Sequence, residues 1–229
     1  GIPTIQATVE HAIQSVTQQQ VHLHGAGRTD SGVHATGQVI AFDVDWRHDD
    51  ETLLRAINAN LPDDIALQDM YKQEGFHPRF DAKARRYCYT IFHTAQRQPL
   101  LARYGWWVRQ GLDVEKLQRT ASLMTGQHDF ATFGNPPHGN NTVREIFESS
   151  WSIIDEANVV YLRYVVEGTA FLHHMVRRMV GMQVDVGTGR ITVEEFKHKF
   201  TRADLSLATT MAPSQGLVLE KVRYSDNDN

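Results

Sequence analysis

Asp30 is the one carboxylate in the loop GAGRTDSGVHATGQ, residues 25–38. Arg28 stands two residues before it, and Gly25, Ala26, Gly27, Ser31, Gly32 and Gly37 surround it. Small residues of this kind let the backbone take positive φ and let a ligand come close. A loop so rich in glycine is costly to order, so its polar residues point to a task beyond solubility. A carboxylate here can serve as nucleophile, general base or metal ligand. Metal ligation has little support, since His34 follows at i+4 but no second carboxylate or histidine joins at ligand spacing. The competing structural role is an Asx turn or a helix cap at a strand exit. A cationic partner, Arg28 or a distant arginine, favours the ionised form and so holds Asp30 ready to attack. We therefore expect Asp30 to be a nucleophile, with Arg28 either ordering the loop or holding phosphate.

The other candidate residues lie in two basic segments. HPRFDAKARRY, residues 77–87, carries Arg79, Lys83, Arg85 and Arg86 among aromatic residues and a single aspartate. The second segment, His173 to Arg178, contains Arg177 and Arg178. The formal net charge of −4 argues weakly against nucleic acid, but acid is segregated into DVDWRHDDE and the tail DNDN. Phosphate contact needs a local positive field rather than a basic whole protein. His22 and His24 share a strand face and His173–His174 are adjacent, yet no cysteine or carboxylate set completes a zinc site by spacing. Trp106 and Trp107 are expected to be buried. Cys88, the only cysteine, reads as a sheet or core residue; a lone cysteine favours an intracellular, cytoplasmic setting. With no run of 18 apolar residues and no basic-then-apolar leader, neither a membrane span nor a signal segment is expected.

These residues need elements to position them. TIQATVEHAIQSVT sets Ile5, Val9, Ala12, Ile13 and Val16 at helical spacing, predicting a helix to about Gln18. VHLHGAG and GQVIAFDVD read as strands entering and leaving the Asp30 loop, ETLLRAINANLP as a helix stopped at Leu61–Pro62, and IALQDMYKQ as a strand. Further on, RRYCYTIFH is strongly strand-prone. VEKLQRTASLMTG reads as a helix with Gly126 as its C-cap. VREIFESSWSII and NVVYLRYVVEG predict a hairpin around Asp155–Asn158. LHHMVRRMVGMQVDVG and VEEFKHKF read as helices and GLVLEKVRY as a closing strand. On a helical wheel Arg177 lies at the edge of the apolar face, while Arg178 points nearly opposite it. The fold expected is α+β, with helices on one face of a mainly antiparallel sheet. Two halves, 1–75 with the Asp30 loop and 76–229, are expected to share one continuous sheet.

GRTDSGVHATGQV resembles the signature of the TruA family of tRNA pseudouridine synthases, whose GRTDxGVH aspartate is catalytic. NANLPDDI, FHPRFDAKARRYCY, HDFATF, FLHHMVRRMVG and QGLVL resemble later blocks of that family in order, so the likeness spans essentially the whole chain. One departure is that the family opens with a strand carrying a YDGSxFxGWQ-like segment, and this chain begins just after it. The resemblance implies two similar ferredoxin-like halves around a central cleft. It implies isomerisation of uridine to pseudouridine at positions 38, 39 and 40 of the tRNA anticodon stem-loop, without metal or cofactor, by a homodimer. It assigns nucleophilic attack to Asp30, stacking on the target base to Tyr87, and pairing with the aspartate to Arg177. Arg28 then contacts RNA and Leu217 lines the base pocket, with Arg79, Lys83, Arg85, Arg86 and Arg178 for phosphates. The alternatives are a non-catalytic RNA-binding module of the same architecture and a hydrolase pairing Asp30 with His34.

Overall fold

The computed structural model describes residues 4–156 and 159–225. Residues 157 and 158, at the centre of the turn expected around Asp155–Asn158, and the acidic tail 226–229 lie outside them. The chain forms two compact units: residues 1–27 with 39–81, and residues 28–38 with 82–229. This is not a cut near residue 75, because the Asp30 loop belongs with the second unit. The hydrogen bonds described below, to the last strand, hold it there.

In the first unit, helix α1 (Ile5–Thr17) starts where the Thr4 hydroxyl accepts the Ala7 N–H, and α2 (Asp50–Asn58) where the Asp49 carboxylate accepts that of Thr52. Each cap satisfies an amide with no partner inside its helix. Val9, Ala12 and Ile13 of α1 and Leu53 and Ile57 of α2 form a core with Val21 and Leu23. Ile5, assigned to the same face by spacing, is 63% exposed.

Strand pairing here is much shorter than the alternating sequences predict. Only β1 (His24–Gly25) and β3 (Ile40–Ala41) pair, antiparallel, and IALQDMYKQ makes no ladder. The period-2 pattern still operates, as Ile40, Phe42, Val44 and Trp46, then Ile65 and Leu67, pack on the core. Side chains take over the backbone bonding. The Asn58 amide donates to the Leu67 carbonyl at 2.9 Å and accepts from its N–H at 2.8 Å. Gln19 makes the same double contact with Asp45, and Glu10 accepts from the Leu23 N–H.

The second unit is built on a seven-stranded sheet. Its strands are β2 (His34–Ala35), β4 (Ala84–His93), β5 (Trp106–Trp107), β6 (Gly126–Asp129), β7 (Val143–Glu156), β8 (Val159–Gly168) and β9 (Leu217–Arg223). The order is β2-β9-β4-β8-β7-β6, with β5 beside β4. The pairs β2/β9 and β4/β5 are parallel and the rest antiparallel. The fold is thus α+β with a mainly antiparallel sheet. The described residues form two separate sheets rather than one continuous sheet. Helices α3 (Val114–Ser122), α4 (Met175–Gly187) and α5 (Val193–Thr201) complete the unit. Gly126 is not the α3 cap. That helix ends at Leu123 in right-handed geometry, and Gly126 uses φ +99° to open β6.

Because side chains alternate along a strand, the sheet has two different faces. Tyr87 and Tyr89 of β4 stand opposite Val166 and Tyr164 of β8 and Leu219 and Leu217 of β9, and all are buried. Trp151, opposite Tyr164, ties this face to the helices: its N–H reaches Gln118 of α3 and its indole N–H reaches Gln183 of α4. The other face carries Arg86, Glu148, Arg163 and Glu167. One covered face and one wet face are ordinary for an antiparallel sheet.

Candidate active site

The Asp30 loop is set by a turn and a strand. The Val33 N–H donates to the Asp30 carbonyl at 3.1 Å, closing a four-residue turn whose third residue, Gly32, has φ +82°. Any other residue there is strained, and an added Cβ would lie 2.6 Å from the Ser214 hydroxyl. The chain then enters β2, alongside β9, and Thr36 and Gly37 both donate to the Leu219 carbonyl. Leu219 is the residue of β9 opposite Tyr87. One strand therefore fixes the loop and the tyrosine relative to each other.

Helix α4 supplies the cation. Arg177 Nη1 donates to Asp30 Oδ2 at 2.7 Å, across 147 residues of sequence. Its Nε donates to the Ala212 carbonyl at 2.8 Å, and the Ala212 N–H returns to the Arg177 carbonyl at 3.1 Å, so the guanidinium is held from both ends. The side chains of Arg177 and Asp30 are only 15% and 20% exposed. A carboxylate paired in this way is enclosed yet retains an edge for a ligand.

The sequence missed two further neighbours. His174 Nε2 lies 3.4 Å from Asp30 Oδ2 and His173 Nε2 lies 3.7 Å from Oδ1. Their rings stack with centroids 3.6 Å apart. His174 adopts φ 63°, a left-handed conformation unusual for a residue with a side chain, and makes no capping bond to α4. Strain of this kind persists only where the surroundings impose it. Here the His173 N–H donates to the Asn135 carbonyl, and Gly134 packs so close that a Cβ would collide with the His173 carbonyl. Burial, opposed by Asp30 and reinforced by His173, Arg178 and Arg177, holds the His174 imidazole below its ordinary value. The HH pair within FLHHMVRRMVG was a usable signal, but its meeting with Asp30 is a tertiary fact.

Asp30, His173 and His174 each offer one ligand atom within 4.8 Å of one another. A carboxylate thus does join the histidines, contrary to their spacing in sequence. A divalent ion there would face the Arg177 guanidinium already bound to the carboxylate, with Arg178 close by, so the site is better suited to a paired nucleophile than to a metal. His34 does not join it; its ring donates to the Arg103 carbonyl at 3.2 Å.

Tyr87 is buried, with the Phe171 ring edge-on at 5.1 Å between centroids. Burial, offset in part by Arg85 and assisted by the charge of Asp30, pushes its phenol up to about 12. Leu217 is buried at the start of β9, opposite Tyr89.

The basic residues separate by environment. Arg28 and Lys83 are exposed, as is Arg79 in the first unit. Arg85 is half-buried and donates to the Thr169 carbonyl at 2.9 Å. Arg178 is half-buried beside Arg177. Arg86 lies on the opposite sheet face, bonded to Glu148 and Glu167, with Glu220 at 3.9 Å. Trp106 and Trp107 are part-buried, and Cys88 is buried.

A family model described as tRNA pseudouridine synthase matches residues 2–81 and 120–225, which include Asp30 and Arg177; Tyr87 falls between the matched segments. The chain is 38% identical over 225 residues to the tRNA pseudouridine synthase A of Pseudothermotoga lettingae, covering 97% of this chain and 91% of that protein. It is 37% identical to the protein of that name from Neisseria gonorrhoeae, over 98% and 84% of the two chains. With that of Thermodesulfovibrio yellowstonii it shares 31% identity over 96% and 90%. Likeness that runs through both compact units, and through the loop and helix that bring aspartate and arginine together, makes this chain a member of the tRNA pseudouridine synthase family.

Proposed function

We propose that this protein isomerises uridine to pseudouridine in tRNA, at positions 38, 39 and 40 of the anticodon stem-loop, with Asp30 as nucleophile. The observation that carries this reading is the enclosed Asp30–Arg177 pair, 2.7 Å apart. The reaction breaks the C1′–N1 bond, turns the uracil and joins C1′ to C5. It involves no redox change and no net hydrolysis, so side chains suffice and no cofactor is required. An ionised aspartate can add to C6 of the uracil or assist cleavage at C1′.

The target uridine is stacked within RNA and must be flipped out to reach Asp30. Tyr87 offers its ring to the everted base, where stacking contributes roughly 1–3 kcal/mol. Arg177 orients the carboxylate, and Leu217 lines the base pocket. Arg28, Arg79, Lys83, Arg85 and Arg178 are proposed to contact RNA phosphates, through backbone shape rather than sequence. A homodimer acting in the cytoplasm completes this reading, with the paired surfaces forming the tRNA cleft. No helix among the described residues is long and apolar enough to cross a membrane.

Tritium release from tRNA carrying C5-labelled uridine tests the assignment. The unaltered protein releases tritium, whereas Asp30→Ala binds tRNA but releases none. Release by Asp30→Ala at the unaltered rate would remove Asp30 from the mechanism. Binding of tRNA without any release by the unaltered protein would favour the RNA-binding module.

A further inference from the structure

We propose that Tyr89 is a positioning residue for the Asp30–Arg177 pair, acting through the segment Ala212–Leu217; the inference deepens the pseudouridine reading above and rests on it. Tyr89 stands two residues beyond Tyr87 on the same face of β4 and is fully buried. Its hydroxyl donates to the Pro213 carbonyl at 2.8 Å. Proline has no N–H, so that carbonyl is the one main-chain polar group by which residue 213 can be held. The Tyr89 ring also lies against Gly216, where an added Cβ would come within 2.6 Å of the ring Cζ and 2.9 Å of the hydroxyl oxygen. Tyr89 therefore grips both sides of the single turn Ser214–Gly216.

This segment carries the parts that aim the site. Ala212 accepts from Arg177 Nε at 2.8 Å and returns its own N–H to the Arg177 carbonyl at 3.1 Å. Arg177 Nη1 in turn donates to Asp30 at 2.7 Å. The Ser214 hydroxyl crowds Gly32 of the Asp30 loop, and Leu217 opens β9. The Ala212 and Pro213 carbonyls are consecutive, one bonded to Arg177 and the next to Tyr89. Between them the proline ring locks φ, here −54°, which leaves a single soft torsion. A change at one carbonyl is thus passed to the other.

Without the hydroxyl the Pro213 carbonyl loses this donor and turns toward a replacement, as a polar group left unbonded in a buried place must. The Ala212 carbonyl turns with it, and Arg177 meets the carboxylate at a different angle. A misplacement of about 1 Å in a site can cost on the order of a hundredfold in rate. Tyr164 is the matched comparison. It stands opposite Tyr89 on β8 and is equally buried, but its hydroxyl shares a 2.8 Å bond with the Ser149 hydroxyl of β7. The two tyrosines differ in what their hydroxyls hold.

Tyr89→Phe and Tyr164→Phe test the proposal together. Each removes one buried hydroxyl and keeps the ring, so both fold and both should lose thermal stability to a like extent. With tRNA carrying C5-tritiated uridine, Tyr89→Phe should lose about tenfold in kcat with its KM within about twofold of the unaltered protein. Tyr164→Phe should leave both constants unchanged. In an Arg177→Met background Tyr89→Phe should cost less than about twofold more, because residues acting through one another are not additive. Proton–nitrogen NMR gives a readout that needs no substrate. The Arg177 Nε–H signal, identified by its loss in Arg177→Met, should exchange with water about tenfold faster in Tyr89→Phe and be unaltered in Tyr164→Phe. A kcat for Tyr89→Phe within about twofold of the unaltered protein, an undiminished loss in the Arg177→Met background, or an unchanged Nε–H signal would each overturn the proposal. If the unaltered protein forms no pseudouridine, the functional reading fails, and the Nε–H signal still decides whether Tyr89 holds Arg177.

Discussion

Arg86 and Tyr87 are neighbours in sequence that stand on opposite faces of one sheet, and the two faces invert each other's charge arithmetic. On the wet face a single arginine, Arg86, is surrounded by Glu148, Glu167 and Glu220, while Arg163 and Arg223 pair with two of those carboxylates. On the covered face a single carboxylate, Asp30, is surrounded by Arg177 and two histidines. The first arrangement spends all its charge on itself and ties four strands together. The second leaves one anion outnumbered by donors in a half-enclosed place, where it can bond to something else and be recovered. A charged cluster is structural when its members satisfy one another and chemical when one member is held in readiness.

The largest test of this contrast is Asp30→Asn. Pseudouridine formation should fall by about 10³-fold or more, the scale on which removal of a nucleophile acts, while thermal unfolding shifts only slightly because Arg177 keeps its bond to Ala212. Next comes Arg177→Met, measured by kcat and by denaturant unfolding. Turnover should drop by about a hundredfold. Stability should fall by about 1–3 kcal/mol, below the 3–5 kcal/mol of a fully buried pair, because Asp30 can recover some hydration. Arg86→Ala should show the reverse profile: a stability loss of about 1 kcal/mol as Glu148 loses its cation while Glu167 and Glu220 keep Arg223 and Arg163, with kcat and the KM for tRNA within about threefold of the unaltered protein. A large rise in KM would return Arg86 to the phosphate contacts. The smallest effect is expected for Tyr87→Phe, which keeps the ring, so kcat should change by less than about threefold in the tritium assay. A severe loss would show that the hydroxyl takes part and that the covered face holds a second chemical group.

Much of this molecule was legible in its sequence because local periodicity survives into the fold. The five α-helices among the described residues lie on segments read as helical, and β4, β7, β8 and β9 on long strand-prone runs. The first unit was less legible, since alternation reports burial on one side and not whether a neighbouring strand exists. There, Asn58, Gln19 and Glu10 supply the backbone bonds instead. β2 was missed because two residues carry no pattern. At the site, the Asp30 loop announced itself through glycine, and the meeting of Arg177 with Asp30 followed the resemblance. The histidines beside Asp30 were misjudged because ligand spacing within a segment says nothing about a loop more than a hundred residues away. The partners of Arg86 were hidden for a like reason: its glutamates arrive on β7, β8 and β9.

The amide side chain of Asn58 has a consequence for how this protein behaves in a crowded solution. An extended, apolar segment with open backbone groups is a template onto which another chain can add a strand, the usual first step of aggregation. Asn58 occupies both the N–H and the carbonyl of Leu67, and Gln19 does the same for Asp45. The first unit can thus carry alternating apolar residues for its core while denying a passing strand the bonds it would need to attach at those positions.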